Sequence, residues 1–190
     1  MPKTGGTALT AALKRHVRQR PLYTSGPQHD GWRDMLPHFR APIVLGTVRE
    51  PVSWYASLYA HARRTGRRDH LIRTWGGGSL AFRDVLYGWT HPTPERVPRH
   101  WVGCLWPGSV LRGDSLYQHA MDFFYGDEVT HLIDTSQLAE GLSVALGREV
   151  DVPPLNQSGQ DYSDWYDEES LGWVKPDSSC YIRTRSGVVP

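Results

Sequence analysis

Cysteine is almost missing from this chain. Cys104 and Cys180 are the only two in 190 residues. Two thiols build neither a disulfide framework nor a four-thiolate zinc site. No run approaches the roughly 18–20 apolar residues of a membrane helix. No basic segment leads into an apolar stretch in the manner of a secretory signal. The nine histidines show no His-x-x-x-His spacing, so no metal is expected. Internal repeats and low-complexity tracts are absent as well. A reducing, cytoplasmic setting without a membrane segment is the expectation. What is present is globular: 39% hydrophobic and 22% charged residues, enough for one core of ordinary size.

The net charge is only +1, but it is unevenly spread. Residues 1–73 hold 13 Lys/Arg against 4 Asp/Glu, and residues 113–190 hold 4 against 14. A basic first half suits an anionic ligand. It equally suits two halves that attract each other in the fold. A nearly neutral total without an aromatic-interleaved basic stripe argues against a nucleic-acid surface.

Periodicity organises the chain as alternating helices and strands. Leu9, Leu13 and Val17 recur on one face and predict a helix over 7–19. Pro21–Ser25 is a short strand candidate. Ile43–Val48 is a continuous apolar run, the pattern of a strand buried on both faces. Pro51 opens the next helix, with Val52, Tyr55, Ala56 and Tyr59 inward. Residues 62–78 are basic and then glycine-rich, and predict a mobile loop. Ser79 caps a helix ending near Gly88. The tryptophan-rich middle includes Trp101 and Trp106, expected as core. Further helices are predicted over 115–125, 137–146 and 162–174, and a strand over 129–134, with an irregular tail. This alternation predicts an α/β layer fold with a parallel sheet.

Two motifs carry chemistry. Pro2-Lys3-Thr4-Gly5-Gly6-Thr7 runs directly into the first predicted helix. Glycines let backbone N–H groups close around an anion, and a helix start with a lysine favours phosphate or sulfate. The order differs from the nucleotide-hydrolase P-loop, because the lysine precedes the glycines. No strand-end aspartate is identified for magnesium. The second motif is Val48-Arg49-Glu50-Pro51, with Ser57-Leu58-Tyr59 beyond it. Arg49 is predicted at the carboxyl end of a buried strand, where open α/β sheets bind ligands. An arginine fork and a hydroxyl can donate to one phosphate. Arg49 in an ion pair with an acidic neighbour is the structural alternative.

Taken in order and about 40 residues apart, the motifs resemble the cofactor signatures of sulfotransferases that use 3′-phosphoadenosine 5′-phosphosulfate (PAPS). Pro2–Thr7 is similar to the 5′-phosphosulfate loop of carbohydrate sulfotransferases and their bacterial and viral relatives. Arg49 and Ser57 match the 3′-phosphate element, with Pro51 and Ser57-Leu58-Tyr59 as further matches. The resemblance is firm over residues 1–61 and looser over 129–182, and 62–128 is left as a variable, acceptor-binding region of a single 1–190 domain. It implies a P-loop-like three-layer fold with a central parallel sheet flanked by helices. It also implies Lys3, Thr4, Gly5, Gly6 and Thr7 around the phosphosulfate, with Lys3 catalytic as well. Arg49 and Ser57 would hold the 3′-phosphate, and no metal would be needed.

The resemblance further implies a histidine base between the motifs. His29, in Gly26-Pro27-Gln28-His29, occupies that stretch; His38 and Glu50 are the alternatives. The acceptor would bear a hydroxyl, a carbohydrate or another small molecule being candidates. Two other functions remain open at this stage: a P-loop-type ATP phosphotransferase and a non-catalytic nucleotide-binding relative. In the resembling enzymes a buried central strand precedes the phosphosulfate loop. None stands before Pro2, so a native chain longer at its N-terminus is expected.

Overall fold

A computed structural model of the protein describes residues 6–17, 43–66, 69–97, 113–125, 129–152 and 161–187. These residues form an α/β structure with seven α-helices and two parallel strands. In chain order they are α1 (Gly6–His16), β1 (Leu45–Val48), α2 (Pro51–Thr65), α3 (Asp69–Trp75), α4 (Phe82–Thr90), α5 (Leu116–Phe124), β2 (His131–Asp134), α6 (Leu138–Leu146) and α7 (Glu168–Gly187). They divide between two compact units. One contains the residues up to Arg49 with 123–160 and those from Arg185 onward; the other contains 50–122 and 161–184.

The first unit is built on the β1–β2 pair. Leu45 lies opposite His131 and Val48 opposite Asp134, so both carboxyl ends fall on one edge. Val44 and Thr130 extend the pairing: Val44 N donates to Thr130 Oγ1 at 2.9 Å, and Thr130 N to Val44 O at 3.0 Å. Gly46 is needed here because a Cβ would stand 2.8 Å from the Tyr125 ring. The Tyr125 hydroxyl donates to the Thr47 carbonyl. α1 and α6 bury Ala8, Ala12, Leu138 and Leu142 with Ile133 and Val150. The inward face of α1 is therefore its alanine stripe, with Leu9 and Leu13 packed at its margin, where sequence periodicity placed the leucines at the centre. α1 also stops at His16, three residues short of the expected end. α6 closes on Gly147, whose φ of +63° completes a left-handed cap.

The second unit is helical and rich in aromatics. Trp54 and Tyr55 of α2 are buried, and Trp54 meets Tyr117 edge-on at 5.3 Å. Tyr55 stacks on Trp89 at 5.8 Å. Such pairs add about 0.5–1.5 kcal/mol each beyond the area they bury. Within the expected loop over 62–78, the described residues form the end of α2, then α3, then a turn at Gly76-Gly77-Gly78. Ile72 and Trp75, three apart on α3, are both buried and hold that helix in place. α4 begins at Phe82 after Ala81, while Ser79 Oγ accepts from Ala81 N at 3.0 Å. The predicted irregular tail is helical: α7 runs to Gly187 through an internal Pro176. Among the described residues no helix is long and apolar enough to cross a membrane.

Candidate functional site

The hexapeptide motif enters the structure at its last two residues. Gly6 and Thr7 are the first residues of α1, and Thr7 is exposed. Lys3, Thr4 and Gly5 lie outside the described residues, as do His29, His38, the Pro21–Ser25 strand candidate, Trp101 and Trp106. α1 is eleven residues long and anchored along its length. Its alanine stripe packs into the core, and His16 Nε2 lies 3.1 Å from the Asp151 carbonyl.

Arg49 immediately follows β1, at the carboxyl edge of the parallel pair, and is half-buried. That edge also carries a strand-end aspartate, contrary to expectation. Asp134 ends β2, is buried, and accepts from both the backbone N and the Oγ of Ser136 at 2.7 Å. Its residue type and its place at a strand end were visible in the sequence. What the sequence did not reveal is that Oδ1 caps the short 3-10 turn at Thr135–Gln137.

Ser57 is half-buried in the second turn of α2. The start of that helix is tightly specified. Glu50 is its N-cap, accepting from Val52 N at 3.0 Å and Ser53 N at 2.8 Å, with Pro51 as the first helical residue. The Tyr166 hydroxyl donates to the Val52 carbonyl at 2.6 Å. Burial, and after it the Glu50 carboxylate, pushes that phenol well above its ordinary range, so it remains a donor. Glu50 therefore has a structural occupation, with both carboxylate oxygens turned to the helix N-terminus.

Sequence reasoning missed a buried polar network in the second unit. Asp177 is 1% exposed. Tyr55 Oη donates to its Oδ2 at 2.8 Å and Ser115 Oγ to its Oδ1 at 2.5 Å. Tyr117 N in turn donates to Tyr55 Oη at 3.2 Å. Burial raises the Asp177 carboxyl to about 6, against the opposing pull of the two hydroxyl donors. Burial also raises Tyr55, with the Asp177 charge next in effect. A signal was available: Ser170, Val174, Asp177 and Tyr181 recur at helical spacing, and all four are buried. Reading the segment past Val174 as an irregular tail hid it.

No protein-family model, no curated protein and no solved structure matches the chain. Any functional reading rests on the residues themselves.

Proposed function

We propose that the protein is a PAPS-dependent sulfotransferase with a P-loop-like three-layer fold, moving a sulfuryl group to an acceptor hydroxyl and releasing adenosine 3′,5′-bisphosphate. The observation that carries the reading is the junction at Gly6. Gly6 and Thr7, the last two residues of the Pro-Lys-Thr-Gly-Gly-Thr motif, open an anchored helix, so a helix start and a lysine three residues before it belong to one short stretch of sequence. Arg49 at the carboxyl edge of a parallel strand pair supports it. The donor set suits the group: a lysine, an arginine, hydroxyls and backbone amides are all donors to phosphate and sulfate oxygens.

Bound PAPS supplies an activated sulfur, whose bond to the 5′-phosphate oxygen breaks as the acceptor oxygen bonds to it. Lys3 and the amides of residues 4–7 stabilise the charge gathering on the departing phosphate. His29 takes the acceptor proton. Arg49 and Ser57 hold the 3′-phosphate and so select against nucleotides lacking it. The acceptor is a hydroxyl compound, a carbohydrate or another small molecule.

Labelled PAPS offered with a panel of sugars, alcohols and phenols tests the reaction. Lys3→Ala and His29→Ala are each expected to lose most turnover, His29→Ala by about 10²–10⁴-fold. Binding of the bisphosphate should survive in His29→Ala. Full activity of His29→Ala across pH 6–8 would remove that histidine from the mechanism.

A further inference from the structure

A cavity of about 300 Å³ opens in the second unit, separate from every residue assigned above to sulfuryl transfer. Its wall includes Asp177, Ser115, Gln118, Gly172, Trp173 and Pro176. Two groups in that wall have acceptor capacity for a further donor. The first is the Asp177 carboxylate. Two hydroxyls occupy one acceptor position on each oxygen, and among the described residues no cation pairs with it. An ionised carboxylate can accept about four hydrogen bonds. The second is the Gly172 carbonyl. In a regular helix it would accept from the N–H four residues on, but that residue is Pro176, which has none.

Arg83, beside the Trp173 ring of that wall, is already committed. Arg83 lies over the Trp173 ring, 5.1 Å from its centroid, and is bonded to both Asp167 and Glu169. Gln118 turns its amide oxygen to Ser115 N at 3.2 Å. Trp173 and Pro176 supply carbon surface beside the two acceptors. A buried anion, a helix carbonyl released by proline and an apolar wall together call for a cationic donor on a small hydrocarbon body.

We propose that this cavity binds a small primary ammonium compound, its N–H groups donating to Asp177 and the Gly172 carbonyl and its carbon portion lying against Trp173 and Pro176. A neutral alcohol of the same shape brings one donor and no charge, so it gains far less from the same wall. The site stands independently of the sulfotransferase reading and survives that reading's failure.

The test is an NMR titration of the full-length, isotope-labelled protein with benzylamine, n-butylamine and the neutral isostere benzyl alcohol. The amines are expected to shift the Gly172 amide and Trp173 indole signals saturably, with benzyl alcohol at least about tenfold weaker. Asp177→Asn keeps the shape and removes the charge, and is expected to weaken the amines by about tenfold or more. If that variant fails to fold, the amine-to-alcohol ratio in the unaltered protein decides alone. Equal binding of amine and alcohol, amine binding unchanged by Asp177→Asn, or no response of these signals to either amine would overturn the proposal.

Discussion

Asp177 is a carboxyl group that the fold holds closer to its neutral form than water would. Its acidity moves from 3.8 to about 6, chiefly because burial disfavours the charge. A carboxyl raised in the folded state favours folding fully below the unfolded value, and that contribution is lost as pH climbs through the folded value. The window is therefore about pH 4 to pH 6, and two units correspond to about 3 kcal/mol. Asp177→Asn carries no such dependence. Thermal unfolding of both proteins at pH 4 and pH 7 should show the asparagine variant gaining on the parent protein as pH rises. A difference in stability that stays constant between those two values would contradict the assignment of the proton to Asp177.

Elements here are fixed as much by close approach as by apolar area. At Gly88 an added Cβ would stand 1.9 Å from the Trp75 carbonyl oxygen, so α4 sits against the backbone ending α3. A carbonyl cannot swing aside like a side-chain tip, and Gly88→Ala should destabilise by about 1–3 kcal/mol. Gly172→Ala is the control, because a Cβ there meets nothing within 4 Å. Alanine's helix propensity should leave that variant neutral or more stable by up to about 1 kcal/mol. Chemical denaturation of the two variants reads the contrast directly. The N-cap of α2 gives another check: Glu50→Ala should cost about 0.5–2 kcal/mol, measured in the same way.

These elements also mark what could be read in advance. Pro51, the apolar run before it and Gly147 announced α2, β1 and the end of α6, because each acts through local backbone chemistry. α3 and the length of α7 were not legible. Arginines and glycines around α3 suggest a loop until Ile72 and Trp75 find a core, and Pro176 suggests a helix end until packing on both sides of it carries α7 through. The same holds for the candidate site. The motif that enters α1 was readable as a string, whereas the Tyr55–Asp177–Ser115 network joins residues up to 122 positions apart.

At the scale of the molecule, part of the charge asymmetry is answered inside the fold. Arg15, from the basic first half, lies 3.9 Å from Asp151 in the acidic second half. Both side chains are well exposed, so the pair contributes at most about 1 kcal/mol. The basic first half thus serves internal pairing as well as any anion, and charge alone does not single out a ligand. Under the proposed function, selection rests instead on Arg49 and Ser57, which would favour a nucleotide with a 3′-phosphate. Calorimetry of the full chain with adenosine 3′,5′-bisphosphate and adenosine 5′-phosphate tests it most directly. Binding of the bisphosphate should be at least about tenfold tighter, and that preference should be lost in Arg49→Ala as one charge-assisted contact worth about 1.5–3 kcal/mol disappears. Equal affinity for the two nucleotides, or an Arg49→Ala variant that weakens both alike, would contradict it.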